Sequence, residues 1–392
     1  MITTANPTLQ MPPIPLLLSA GEASGDMYAA RLATALKRRA DVKIFGMGGP
    51  QMHAAGVDVI TDYSEVSVVG ITEILSHLPS LIRSMRRLVS EAERRRPTLA
   101  VLTDFPGFHL RLARKLKARN IRNAYYICPQ FWAWRPWRVR IVRRRFAQAL
   151  CIFPFEEKFY ADAGVPVKFI GHPLVGAVHA SVGRETFLRE QQLDPSRPVV
   201  AVLPGSRNTE LNQHLPVLRE ACLRIHRETR AQFVVAAAHN QDSPQLREGW
   251  APELQVRIVG GRTYDALASS DAAVVSSGTA TVETALLDVP MVVVYRVTPV
   301  TAFLAKPLVR TPFFSMVNLI AGRRVVPELI QSDFTPERVS KEVVQLLRDP
   351  AARDAMRVHL AEVRVRLGPP GAIDRAADTI LDLVRATPGN AK

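Results

Sequence analysis

Short apolar runs bounded by Pro, Gly or Asp alternate with helical patterns along most of this chain, and that alternation restricts the fold more than any other feature. In the first half PLLLSA, VKIFGMGG, TLAVLTDF, AYYICP, ALCIF and VKFIGHP read as strands, with amphipathic and Arg-rich helical segments between them. In the second half RPVVAVLPG, AQFVVAAAH, LQVRIVGG, DAAVVSSG and MVVVYRV repeat the plan, separated by helical patterns over 210–230 and 264–270. Strands that alternate with helices form parallel sheets covered on both faces. The chain has 392 residues, more than one core usually holds, so two doubly wound α/β domains are predicted. The boundaries read as an N-terminal arm over 1–13, one domain over 14–178 and a second over 179–345. Helices over 346–392 are expected to pack back on the first domain or on a partner. Doubly wound domains present ligands at the carboxyl ends of their strands, which predicts a site in the cleft between the two.

Two segments in the second half carry the sharpest chemical signal: Leu203-Pro204-Gly205-Ser206-Arg207 and Ser276-Ser277-Gly278-Thr279-Ala280-Thr281-Val282-Glu283. Each follows an apolar strand and opens a helix, which leaves backbone N–H groups facing outward with a helix dipole behind them. Arg207 adds a planar fork suited to phosphate, and Glu283, one turn into its helix, is placed to accept hydrogen bonds from a ribose. Either segment alone is also an ordinary strand–helix connection capped by Ser or Thr. Together they predict a diphosphate held between two strand ends, hence a nucleotide.

Charge and cysteine usage bound the partners. The 51 Lys and Arg outnumber the 36 Asp and Glu, for a formal charge of +15, which calls for a polyanionic surface or a phosphorylated substrate unless it is spent on solvated helix faces. The arginines cluster at Arg83, Arg86, Arg87, Arg94, Arg95 and Arg96, and again at Arg135, Arg138, Arg140, Arg143, Arg144 and Arg145. Cys128, Cys151 and Cys222 lack metal-ligand spacing, which argues for a reducing compartment rather than a disulfide framework. No apolar run reaches the roughly 18 residues of a membrane-spanning helix, and the start lacks the basic region and the cleavage pattern of a secretory signal.

Three segments of the first half hold further candidates. Leu18-Ser19-Ala20-Gly21-Glu22-Ala23-Ser24-Gly25-Asp26 is a strand, a glycine turn and a helix start carrying two acids, but neither a dinucleotide nor an ATP fingerprint. Glu22 and Asp26 either bind polar groups such as sugar hydroxyls or satisfy helix N-termini. Thr103-Asp104-Phe105-Pro106-Gly107-Phe108 places Asp104 just past a strand and among aromatic rings. Partial desolvation there raises a carboxyl pKa and suits a general base, whereas the plainer reading is a turn cap before Pro. Pro129-Gln130-Phe131-Trp132-Ala133-Trp134-Arg135 sets Trp132 and Trp134 beside arginines, for packing, sugar stacking or a membrane interface. His172, in Ile170-Gly171-His172-Pro173, is either a phosphate or hydroxyl contact or a structural residue.

Taken in order, AGEASGD, GGPQM, VVGITEIL, DFPGF, WAWR, FIGHPL, LPGSR, SSGTATVET and NLIAGRRVVPELIQ resemble the lipid-A-disaccharide synthase family, from about Leu16 to Phe334. The resemblance implies a glycosyltransferase of the GT-B type, with two Rossmann-like domains facing across a cleft. It implies transfer from UDP-2,3-diacylglucosamine to 2,3-diacylglucosamine 1-phosphate through a β-1,6 bond, with release of UDP and without a cofactor or catalytic metal. Carried over residue by residue, Asp104 is the base for the acceptor hydroxyl, and Glu22 lies at the acceptor or reaction centre. UDP falls to Gly205, Ser206, Arg207, Ser277, Gly278, Thr279, Glu283 and Asn318. The family often has Asn where this chain has His109 and Arg where it has Gln51, which bears on the acceptor side.

Substrates with acyl chains and phosphates require work at an anionic membrane surface. Val69, Ile71, Ile74, Leu75 and Leu78 belong to an apolar segment followed by Arg83, Arg86 and Arg87. That pattern fits an interfacial helix and equally a buried core helix. With Trp132 and Trp134 these residues are the candidate acceptor and membrane face. The expected location is the cytoplasm, peripheral on the inner face of the inner membrane, and a homodimer fits the same reading. The rivals are another UDP-N-acetylglucosamine-using enzyme of the same architecture, an epimerase or a peptidoglycan glycosyltransferase, and a basic nucleic-acid-binding protein. The last is disfavoured because the charge is spread through an α/β chain with no recognised binding module.

Overall fold

The computed structural model describes residues 12–66, 74–237, 244–299, 301–302 and 311–386. It divides into two compact units, one reaching Phe131 and adding Pro136–Pro173 and the chain from Gly371, the other made of Trp132–Arg135 and Leu174–Pro370. Each unit is a parallel sheet between helices, as the alternation predicts.

The first sheet contains β1 (Ile14–Ala20), β2 (Val42–Gly48), β3 (Asp58–Asp62), β4 (Leu99–Thr103), β5 (Asn123–Tyr126), β6 (Gln148–Cys151) and β7 (Val167–Phe169). Their order is β3-β2-β1-β4-β5-β6-β7, all parallel. Strand β4 is buried throughout its length, the condition in which a strand reads as one apolar run rather than an alternation. Sequence order reverses direction between β1 and β4, whose pairing ends on Ala20 opposite Thr103. A crevice opens at such a switch point because the crossover helices on its two sides lie on opposite faces.

The second sheet contains β8 (Val199–Leu203), β9 (Gln232–Ala237), β10 (Val256–Gly260), β11 (Ala272–Ser276), β12 (Met291–Tyr295) and β13 (Glu328–Ile330), in the order β10-β9-β8-β11-β12-β13. Its switch point lies between β8 and β11, where Leu203 stands opposite Val275. The two turns singled out in the sequence, after Leu203 and after Ser276, therefore leave neighbouring strands.

The C-terminal helices separate. Helix Pro336–Arg348 packs on helix Asn208–Thr229, and helix Pro350–Arg366 packs on helices Thr279–Leu286 and Met316–Ala321, all within the second unit. Helix Ala372–Arg385 belongs to the first unit. There it lies on helix Ala23–Lys37 and pairs Asp374 and Asp378 with Arg39 at 2.8 and 2.7 Å. Arg375 adds a hydrogen bond to the Ile170 carbonyl at 2.8 Å. The division thus falls after Pro173 and again after Pro370, not after 178 and 345. The Gly368–Gly371 turn, with both glycines at positive φ, redirects the chain there.

Candidate active site

At the first switch point, β4 runs into Asp104 and Phe105, both in the left-handed region at φ 48° and 46°. For a residue with a side chain that conformation costs about 1–3 kcal/mol, and it persists only where the surroundings enforce it. Three contacts do so. The Asp104 N–H donates to the Tyr126 carbonyl, and the Asp104 carbonyl accepts from the Tyr125 hydroxyl at 2.9 Å and from His109 Nδ1 at 2.8 Å. Residue 21 must be glycine beside them, because a Cβ there would stand 2.2 Å from the Phe105 ring. Burial, together with the Glu22 charge, lifts the Asp104 carboxyl to about 6. Pairing of β1 with β4 brings the two acids together from distant parts of the chain.

Glu22 is exposed at the start of helix Ala23–Lys37 and makes no capping bond with its side chain. Asp26 takes the other sequence-level option. It is buried, and its carboxylate accepts from the N–H groups of Gly49, Gln51 and Met52 at 2.7, 3.0 and 3.1 Å, satisfying the start of helix Pro50–Ala54. His172 is buried against the Phe153 ring, and burial lowers its pKa to about 4.

The second unit holds a cavity of about 600 Å³ at the ends of β8 and β11. Gly205, Ser206, Arg207, Ser277, Gly278, Thr279 and Glu283 all line it. One expectation is corrected here. The Ser206 and Arg207 N–H groups turn onto the Glu210 carboxylate at 2.9 and 3.3 Å, because an acid three residues past Arg207 reaches back to the helix start. Gly205 permits this turn, with φ 122° and a position where a Cβ would stand 2.6 Å from Glu210 Oε2. The Arg207 side chain is 73% exposed and held to Glu210 at 3.3 Å. At the other turn the opening N–H groups of helix Thr279–Leu286 have no carbonyl within the helix to bond, which keeps that end suited to an anion.

Burial raises the Glu283 pKa, and a hydrogen bond at 2.9 Å from the Tyr264 hydroxyl opposes that shift and orients the carboxylate. Tyr264 was not evident as a site residue from sequence, although VRIVGGRTYD repeats the strand, glycine and helix pattern of the two turns that were. Its neighbour Asp265 is buried and accepts from Ser181 and Arg262, fixing the 181–182 backbone to the cavity wall.

Asn318 is fully buried and is not among the residues that line this cavity. Its amide donates to the Val326 carbonyl and Glu328, and its oxygen accepts from the Val325 and Val326 N–H groups. It thus braces the segment whose Phe314 carbonyl accepts from the Ser277 hydroxyl at 2.7 Å.

A family model described as lipid-A-disaccharide synthetase matches residues 16–367. The chain belongs to that family. A lipid-A-disaccharide synthase of Solibacter usitatus is 46% identical over 373 residues, covering 94% of this chain and 97% of that protein. Among solved structures, a putative UDP-N-acetylglucosamine 2-epimerase from Listeria monocytogenes aligns with a TM-score of 0.64 at 12% identity, covering 96% of each chain. CalG4, the calicheamicin glycosyltransferase, aligns at 0.59 and 17%, covering 96% of this chain and all of the other. These two likenesses establish the GT-B architecture.

The two positions at which the resemblance implied a departure lie in different surroundings. Gln51 is exposed at the start of helix Pro50–Ala54, whereas His109 is wholly buried beneath Asp104. Of the apolar segment, Val69, Ile71 and the side chains of Ile74, Leu75 and Leu78 lie outside the described residues. Farther along helix Ile74–Arg95, Met85, Leu88, Val89 and Ala92 pack into the sheet core while Arg83, Arg86 and Arg87 are exposed. Trp132 is half-buried and Trp134 exposed, with the Arg135 guanidinium 4.2 Å over its ring. Among the described residues no helix is long and apolar enough to cross a membrane.

Proposed function

We propose that the chain transfers 2,3-diacylglucosamine from its UDP derivative to the 6-hydroxyl of 2,3-diacylglucosamine 1-phosphate, forming a β-1,6 bond and releasing UDP. As a member of the lipid-A-disaccharide synthase family it is a hexosyltransferase of lipid A formation. The observation that carries the residue-level reading is the cavity at the second switch point, which combines an arginine, a helix N-terminus and a hydrogen-bonded carboxylate. In this reading Glu283 receives the ribose hydroxyls, while Arg207 and the Thr279 end of its helix receive the diphosphate. Asp104 takes the proton of the acceptor hydroxyl as its oxygen attacks the anomeric carbon from the face opposite UDP. The bond from that carbon to the diphosphate breaks, and Arg207 and the helix end stabilise the charge that appears. Incubation of the purified protein with both diacyl sugars should yield disaccharide and UDP in equal amounts; release of UDP without disaccharide would contradict the acceptor assignment.

Turnover is expected to survive EDTA. The proposed acids sit in separate segments, and among the described residues no three His, Cys, Asp or Glu side chains are grouped to hold an ion. Oxygen cages for Mg²⁺ or Ca²⁺ need several such ligands together. Loss of activity on chelation, restored by Mg²⁺, would show that the leaving group depends on a metal.

We also infer peripheral attachment to the inner face of the inner membrane, with Arg83, Arg86 and Arg87 facing anionic lipid. Each Arg near such a surface contributes about 1 kcal/mol, a term that weakens with salt. Charge reversal at the three positions should therefore weaken binding to anionic vesicles and leave binding to neutral vesicles nearly unchanged. Equal loss on both would place the contact elsewhere.

A further inference from the structure

We propose that His109, Tyr125 and Ser19 form a buried clamp on the Asp104 carbonyl that fixes the neighbouring carboxylate in its working position. The proposal rests on the reading of Asp104 as the base. None of the three touches substrate in this scheme, so they are positioning residues.

The geometry of the clamp determines its protonation. A carbonyl oxygen only accepts, so His109 Nδ1 carries the hydrogen in its 2.8 Å contact with Asp104. The other nitrogen, Nε2, is then an acceptor, and the Ser19 hydroxyl donates to it at 2.8 Å. Burial lowers the His109 pKa to about 4, which keeps this neutral form across the physiological range. The Tyr125 hydroxyl supplies the second donor to the same carbonyl, so both of its lone pairs are engaged. Ser19, His109 and Tyr125 are each fully buried. They come from the end of β1, from helix Pro106–Lys117 and from β5: His109 and Tyr125 meet on the Asp104 carbonyl oxygen, and Ser19 holds the far side of the His109 ring.

That convergence explains the strained pair. With Asp104 and Phe105 both at positive φ, a relaxed chain would rotate the Asp104 peptide and carry the carboxylate with it. Two donors on the carbonyl, opposed by the Phe105 ring against Gly21, hold the rotation. The titratable groups facing Asp104 are Glu22, His109, Tyr125 and Cys128. Burial raises Tyr125 and Cys128 well above their ordinary values and keeps both uncharged, while the Glu22 charge adds to the burial that raises Asp104.

The test compares His109→Leu, His109→Asn, Tyr125→Phe and Ser19→Ala by kcat, KM and the pH profile, with calorimetric UDP binding as a check of the second unit. His109→Leu is expected to lower kcat roughly 10- to 100-fold with KM little changed, the scale of a displaced catalytic group. His109→Asn keeps an N–H near the Nδ1 position and should recover most of that loss. Loss of one neutral hydrogen bond in Tyr125→Phe or Ser19→Ala should cost about 3- to 10-fold. In each impaired variant the acid limb of kcat should move from about pH 6 toward the ordinary carboxylate range near 4, as a released Asp104 gains water. A fold defect would reduce active protein without moving the limb. If His109→Leu does not fold, the two single-atom deletions carry the test, since neither opens a large void. An unmoved limb and unchanged kcat in both would overturn the clamp. If Asp104→Asn itself keeps normal turnover, the base assignment fails instead, whatever the clamp variants do.

Discussion

Replacement of Asp104 by Asn is expected to lower turnover roughly 10²- to 10⁴-fold while UDP affinity stays nearly constant, the usual consequence of losing a general base. The substitution keeps the shape of the side chain and its place at the end of β4. It removes only the ability to accept a proton from the attacking hydroxyl, which is a weak nucleophile near neutral pH. The direction of the pH dependence follows from the same carboxyl. Burial and the Glu22 charge hold it at about 6, so it is the unprotonated base only above that value, and wild-type turnover should rise through pH 6 to a plateau. A carboxyl left in water would reach its plateau about two pH units lower. Near-normal turnover in Asp104→Asn, with Glu22→Gln inactive, would transfer the base role to Glu22.

Arg207→Ala is expected to raise the dissociation constant for UDP roughly 10- to 150-fold. A guanidinium on a diphosphate makes charge-assisted, forked hydrogen bonds worth about 1.5–3 kcal/mol, and that energy converts to the stated factor. The side chain is largely exposed and is paired with Glu210 at 3.3 Å. Little is therefore lost from the fold when it is removed, and melting temperature should change little. The effect should appear in affinity measured by calorimetry and in KM for the donor, with a smaller change in kcat. Unchanged affinity would exclude Arg207 from the donor site.

Much of the architecture was legible because parallel strands buried on both faces must be written as unbroken apolar runs. VVAVL, AAVVS and MVVVY are such runs, and each became a strand of the second sheet. The order of the strands was not legible, since it depends on which crossovers lie on which face. Only that order reveals why Glu22 and Asp104, far apart in sequence, share an environment. Side-chain partnerships were also hidden. Nothing local distinguishes Glu283 from Glu210, yet one meets a tyrosine and the other the N–H groups of its own turn. The resemblance marked Asn318 without showing that it is buried and makes four side-chain hydrogen bonds to Val325, Val326 and Glu328. A left-handed backbone is uncommon for a bulky residue such as Phe105, and the packing that enforces it comes from other parts of the chain.

Helix Ala372–Arg385, sealed onto helix Ala23–Lys37 by Arg39, has a consequence for biogenesis. A ribosome makes the first sheet early, but its closing helix is translated only after the whole second unit. Until then the apolar side of Ala376, Ile380 and Val384 has not been made, and the surface of Ala23–Lys37 that receives it waits uncovered. The nascent first unit must therefore persist as a partly open intermediate, the kind of species that recruits chaperones, while the second unit, whose residues are nearly contiguous, can complete its own core as it emerges.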